Sequence, residues 1–403
     1  MADASVEVMR DLDAYIDEAL PELDPIIAHD VTSYGWRGLT QQGEVYEVKA
    51  SNGHAIEVPP EIVVSFRGKP IGRRKITNDE TIDIDVYLEH FNRVVALYKQ
   101  NRVEEALIEC AETLHVAPTL RARFNEAMVL LAAGRWREGL AEYWLCEQHA
   151  PFMRPQVRAA LDRGVEPWMG QDLRGKRLVL QHAHGFGDTL MMLRYVPDVL
   201  ARGAHVVLDL PPALQRMTYG PFGGDGDYFC PILHLLHWLG IMPMAVDGSP
   251  YLAVDAALAA EWRERLGPQT RKRIGIAWSI GKPSDGDYPR EIPLFQLVAA
   301  LRHAELHSVQ IQNGDEARYF GVHVHAFEDF ADCAALMACM DEIISVDTAA
   351  LHLAGAIGHK RVIGLLSHWA SWRWVAPWYA NLHICRQTAP DDWASALAQI
   401  HAG

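Results

Sequence analysis

"EIISVDTAALHLAGAIG" occupies Glu342–Gly358, and it reads as a strand running straight into a helix. Ile343–Val346 is a short apolar run of the kind a buried strand needs. Asp347 and Thr348 follow, two residue types that favour a helix start. Ala354, Gly355, Ala356 and Gly358 are small enough to let that helix lie close to a sheet. A strand ending on a helix N-terminus leaves backbone N–H groups that, with the Thr348 hydroxyl, can face a diphosphate. His352 stands at i+4 from Thr348, on the same helix face, where an imidazole N–H can reach a phosphate oxygen. The residues fit a capped core helix with a satisfied histidine as well.

The same texture extends outwards. "RLVLQ" (177–181), "HVVLDL" (205–210), "RIGIAWS" (273–279), "HSVQIQ" (307–312) and "RVIGLL" (361–366) are further short apolar runs. Amphipathic stretches lie between them, Thr189–Ala201 and Leu294–Arg302 among them. Strand alternating with helix predicts parallel sheets covered on both faces. "GPFGGDGDYFCP" (220–231) reads as a loop. The reading is of two Rossmann-like α/β halves, 153–255 and 256–403, with a ligand cleft between them.

Three more stretches carry chemistry. In "QHAHGFGDTL" (181–190) a strand ends near Gln181 and a helix begins near Asp188. Gly185 and Gly187 permit a tight turn and close approach of a substrate. Asp188 would repel a phosphate at that spot, so it is either a helix cap or a general base for an acceptor hydroxyl. "GIAWSIGKPSDGDYPREIPL" (275–294) ends a strand at Trp278-Ser279 and then carries Lys282 and Arg290, either in a solvated loop or set to neutralise a leaving diphosphate. "SHWASWRWVAPWYANLHICRQ" (367–387) packs Trp369, Trp372, Trp374, Trp378 and Tyr379 together, as core or as a stacking surface for a base or sugar. The pairs His182/His184 and His323/His325 each share a strand face, but no acidic or Cys partner sits at metal spacing, so no metal site is expected.

The N-terminal part differs. In residues 1–85, Val6–Leu23 reads as a helix, and the following alternation around Asn52-Gly53 as a hairpin, a small α+β segment with no assigned chemistry. Residues 86–152 contain a repeat at an offset of 33: Phe91/Phe124, Asn92/Asn125, Arg102/Arg135, Leu107/Leu140 and Pro118/Pro151 coincide. Each unit is a helix, a turn and a second helix, which resembles the tetratricopeptide repeat. Ala106 and Gly139 fall where that family has a small residue for close packing. Two repeats cannot cover their own apolar faces, so they should lean on residues 1–30 and on the domain that follows.

Composition sets the outer bounds. At 403 residues the chain has room for two or three domains. Its net charge of -15 argues against nucleic acid as a partner. Six cysteines without a CxxC pair imply reduced thiols in a cytoplasmic protein. The first residues lack the basic flank and apolar core of a signal peptide, and no apolar run is long enough for a membrane span.

Taken together and in order, these stretches resemble sugar-nucleotide-dependent glycosyltransferases of the GT-B fold, and in particular the ADP-heptose:lipopolysaccharide heptosyltransferase group joined to tetratricopeptide repeats. The resemblance covers roughly residues 165–390. "GFGDTLMMLRYVP" is similar to that group's Gly-Asp loop, which implies Asp188 as base. "SVDTAALHLAGA" is similar to its Asp-Thr-Gly-x-x-His phosphate motif, which implies Asp347, Thr348 and His352 as donor-binding residues, with Ala349 in place of the glycine. Ser279 and Arg290 match a strand-end serine and a downstream basic residue. The resemblance implies a nucleotide-sugar donor on the C-terminal half, an acceptor glycan or protein presented with help from the repeats, and no metal or other cofactor. Two other readings stand beside it: a hydrolase or epimerase of nucleotide-sugars, and a non-catalytic repeat scaffold with a degenerate transferase domain.

Overall fold

The computed structural model describes residues 46–50, 55–58, 61–66, 69–75, 81–149, 153–182, 184–218, 220–280, 290–310, 312–369 and 371–400. The Val6–Leu23 helix, the Asn52-Gly53 turn and Lys282 lie outside them. The chain forms two compact units. One holds Trp369–Val375 together with the described residues up to Arg158, and the other holds the rest.

The first unit opens with short strands. β1 (Tyr46–Ala50) pairs antiparallel with β2 (Ala55–Val58), and β3 (Glu61–Phe66) with β4 (Lys69–Lys75). β5 (Thr81–Ile82) adds to β1 in parallel. Four helices follow: α1 (Ile84–Lys99), α2 (Val103–Val116), α3 (Leu120–Ala132) and α4 (Trp136–Glu147). Their boundaries have local causes. The Asp83 carboxylate accepts from the Asp85 and Val86 amides to start α1, and Thr119 Oγ1 accepts from the Ala122 amide to start α3. α2 and α4 use a different device, the same in both. Arg102 and Arg135 occupy their N-cap positions without capping bonds, and each pairs with a glutamate three residues on, Glu105 and Glu138.

Packing in this unit is close. A methyl on Gly139 would lie 2.8 Å from Leu131 Cγ and 3.0 Å from the Ala127 carbonyl oxygen, so α4 rests on α3 at a distance only glycine permits. The helices do not cover themselves. Trp136 meets Trp372 edge-on with ring centres 5.1 Å apart, and Tyr98 meets Trp369 at 5.2 Å. The segment Trp369–Val375 therefore belongs with the helices, although strands flank it in sequence. Burying aromatic surface is worth several kcal/mol. Trp372→Ala should lower the unfolding free energy of the helical unit by about 3–5 kcal/mol. Unchanged denaturant unfolding followed by helical signal would show that the segment is not part of this core.

The second unit begins within α5 (Pro155–Asp162) and contains two all-parallel sheets. The first comprises β6 (Glu166–Pro167), β7 (Arg177–Gln181), β8 (His205–Asp209) and β9 (Tyr228–Pro231), in the order β6-β9-β7-β8. The second comprises β10 (Arg273–Ala277), β11 (Glu305–Ser308), β12 (Glu342–Val346), β13 (Val362–Leu366) and β14 (Leu382–Arg386), in the order β11-β10-β12-β13-β14. β9 corrects the reading of 220–231 as loop. Its four residues follow a Gly/Asp-rich stretch and end on Pro231, so no periodicity shows, yet Phe229 and Cys230 are fully buried. The helices used below are α6 (Phe186–Met192), α7 (Ala256–Leu266), α8 (Phe330–Met337) and α9 (Ala349–Ala356).

The outer edge of the second sheet carries a histidine cluster. His307 on β11 is 1% exposed, stacks on His323, and shares an in-plane hydrogen bond with His325 at 2.9 Å. Glu305 stands 3.2 Å from its other nitrogen, Trp262 of α7 lies edge-on to His325, and Arg273 is close by. Among the described residues, no group of three or more His, Cys, Asp and Glu side chains could hold a metal ion. Burial, with the neighbouring imidazoles, lowers His307 to about 3, and burial lowers His325 as well. Both are kept neutral in the fold, whereas an unfolded histidine titrates near 6.5. The unfolded chain therefore takes up protons first, and stability is lost as pH falls from about 6.5 towards 3. Urea midpoints measured between pH 7.5 and 5 should drop, and His307→Asn should flatten that drop. An unaltered slope in the variant would exclude this cluster as its source.

Candidate active site

Ligands of open parallel sheets bind beyond the C-terminal strand ends, where the strand order reverses. In the second sheet the reversal lies between β10, whose chain continues to β11, and β12, whose chain continues to β13. The register Ala277↔Ser345 sets Ser279 level with Asp347. Arg290 reaches the same place: its Nη1 lies 3.8 Å from Asp347 Oδ2. Ser279, Arg290, Asp347 and Thr348 are thus together.

Their hydrogen bonds differ in kind. Ser279 Oγ accepts from the Gln310 and Asn313 amides at 3.0 and 2.6 Å, while Gln310 Oε1 accepts from the Trp278 and Ser279 N–H groups. That network fixes the ends of β10 and β11. Ser345 Oγ donates to the Val346 carbonyl at 2.7 Å, so the Thr348 hydroxyl, 3.0 Å away, is the donor between the two. Thr348 is the N-cap of α9 but makes no capping bond with its side chain.

In the first sheet, the loop after β7 leads to α6 with β8 on one side of β7 and β9 on the other. Gly185 is the N-cap of α6, which makes Asp188 a residue of the first turn and not the cap. A carboxylate there is favoured by the helix dipole. It is only 4% exposed. His184 adopts a left-handed conformation at φ 65°, and His182 Nδ1 shares a 2.7 Å hydrogen bond with Thr189 Oγ1 that closes the loop. Phe186 remains exposed, with its ring 5.1 Å from that of Phe330 at the start of α8.

The two loops meet. A Cβ on Gly187 would lie 2.7 Å from His352 Cδ2 and 3.6 Å from Ala349 Cα. α6 packs on α9, and His352, 2% exposed, shares a 2.9 Å hydrogen bond with the Tyr379 hydroxyl. Around this contact the halves are tied by polar bonds. Arg194 Nη2 donates to the Trp378 carbonyl at 2.7 Å and Arg216 to both oxygens of Asp329, while within the first half the Tyr251 hydroxyl donates to the Leu190 carbonyl at 2.8 Å. Arg194, Tyr251, Gln310, Asn313 and Tyr379 were not assigned roles from sequence. Only Tyr379 carried a signal there, as part of the aromatic tail, and its partners lie far away along the chain. Gly187→Ala should destabilise this unit by about 1–3 kcal/mol, the usual cost of overpacking. Wild-type stability in the variant would show that the ring has room to move.

No family model matches the chain. FlbA, a curated protein of Caulobacter vibrioides, is 26% identical over 379 residues, covering 80% of this chain and 62% of FlbA. The chain thus spans less than two thirds of that protein. Among solved structures, it is similar to the E. coli ADP-heptose lipopolysaccharide heptosyltransferase II (11% identity, TM-score 0.45, 56% of this chain and 98% of that one). It is also similar to a glycosyl transferase family 9 protein from Veillonella parvula (11% identity, TM-score 0.42, 55% and 88%). No helix among the described residues is long and apolar enough to cross a membrane.

Proposed function

We propose that the chain is a glycosyltransferase that moves a sugar from a nucleotide-sugar to an acceptor hydroxyl. The observation that carries this reading is the meeting of the two loops: Gly187 and Asp188 arrive from one sheet, and Thr348 and His352 from the other. A two-substrate displacement needs a base on one side of the reacting carbon and a diphosphate anchor on the other. The donor diphosphate would lie on the first turn of α9, with Thr348, His352 and Arg290 stabilising the charge of the leaving group. Lys282 would help to neutralise that charge. Protein donors would then serve where other enzymes use a metal. Asp188 would take the acceptor proton. The helical unit would recognise the acceptor, a glycan or a protein.

A second reading is favoured by one observation. Asp188 and His352 are 4% and 2% exposed, as expected of a degenerate domain that serves as a scaffold. Asp188→Asn separates the two. It keeps the shape of the first turn but cannot take a proton. Transfer measured across a panel of nucleotide-sugars should fall by roughly 10²–10⁴-fold, with donor affinity retained. Equal transfer by wild type and variant would remove Asp188 as base, and absence of nucleotide binding to either would favour the scaffold.

A further inference from the structure

The two sheets of the α/β unit share no strand pairing, so side-chain contacts hold their C-terminal edges together. The contact of Gly187 with His352 is buried. A second set of contacts between the same edges is exposed. Arg216 follows the short helix Pro212–Gln215, beyond the end of β8. Its Nε and Nη2 donate to Asp329 Oδ2 and Oδ1 at 2.5 and 2.9 Å, and its Nη1 lies 4.0 Å from Glu328. The Arg216 side chain is 46% exposed. Phe186, in the first turn of α6, is also exposed and meets Phe330 with ring centres 5.1 Å apart.

Both contacts land on one short stretch. Asp329 is the N-cap of α8 and Phe330 its first residue. The chain reaches them from His323, which bridges in parallel to His307 on β11, so the start of α8 lies at the C-terminal edge of the second sheet. The stretch is well fixed. Asp329 Oδ1 also accepts from the Asp332 amide, and the Asp332 carboxylate accepts from Trp262 Nε1 and from the Glu328 amide. The opposing residues come from two separate connections, one after β7 and one after β8. The two contacts differ in kind. A half-exposed ion pair is screened by salt and adds little to stability, whereas the ring pair has no net charge to screen. Gly187 meets His352 without room for a methyl group. Anything that enters between those loops does so while the edges are parted.

We propose that Arg216–Asp329 and Phe186–Phe330 form a salt-sensitive clasp that holds the C-terminal edges of the two sheets together and, by parting, opens the loop at 184–190. The clasp is independent of the reading of the junction as a diphosphate site.

The test is peptide-resolved hydrogen exchange of the full chain without ligand, in about 0.02 M and about 0.5 M sodium chloride. In the wild type, peptides from 184–190 and 326–334 should exchange faster together at the higher salt, relative to peptides from β10 and β12. The expected factor is about two- to fivefold, the worth of one exposed ion pair. Arg216→Ala should exchange at the faster rate in both segments at either salt, with β10 and β12 unchanged. The ion pairs of Arg216 are with 328 and 329, so a purely local role would quicken 326–334 alone. Phe330→Leu should quicken both segments and keep the salt response. Wild-type exchange that ignores salt overturns the proposal, as does either variant in which 184–190 is unmoved. The wild-type arm needs no substitution, so it decides even where a variant fails to fold.

Discussion

The contact of Gly187 with the His352 ring is the constraint on which the α/β unit depends. It exists because a residue without a side chain sits in the first turn of one helix and a flat ring projects from another. Everything around it serves that close approach. Gly355 admits Tyr379 from behind, Gly358 admits Pro250, and Gly248 admits the Ala380 backbone. The Ala356 carbonyl accepts from both the Tyr251 and Leu252 amides, binding the connection between the two sheets to the end of α9. Glycine is costly in a helix. Its use at 187 and 355 is understandable only through what presses against it.

Such a junction is polar where it need not be. Arg194 stands among the three aromatic rings of Tyr251, Trp378 and Tyr379. A leucine there would pack with less desolvation. A buried or half-buried cation is tolerated when its hydrogen bonds fix something of value. Here they fix the Trp378-Tyr379 turn, and through it the orientation of His352. Asp329 plays a similar double part, capping α8 through the Asp332 amide while receiving Arg216 from the other half.

Much of this was legible in the sequence, for identifiable reasons. β7, β8, β10, β12 and β13 announce themselves because strands buried on both faces are continuous apolar runs. The strand-to-helix turns at 181–188 and 346–349 were visible because glycine, or an Asp-Thr pair, marks a helix start. β11 appeared two residues late, since Glu305 belongs to the strand and reads as loop. β9 and β14 were missed because each has too few apolar residues for a pattern. The 33-residue offset has one counterpart in the structure, the Arg-to-Glu pairing that starts α2 at Arg102 and α4 at Arg135. The split of the tryptophan tail was not legible. Nothing local says that Trp372 faces Trp136 while Trp378 and Tyr379 face Arg194, because both partners are set by tertiary packing. Asp188 shows the same limit at the site. The glycines pointed to a helix mouth, but only the placement of Gly185 as N-cap shows that Asp188 is no cap.

The central claim is that the loop at 184–190 and the start of α9 form one ligand site. Peptide-resolved hydrogen exchange of the full chain, with and without ADP, UDP, GDP, CDP and dTDP in turn, addresses it directly. The account predicts that at least one nucleotide slows exchange in peptides from both 184–192 and 345–353, in the same titration and with the same midpoint. Protection of only one of these segments, or of neither with every nucleotide, would contradict it.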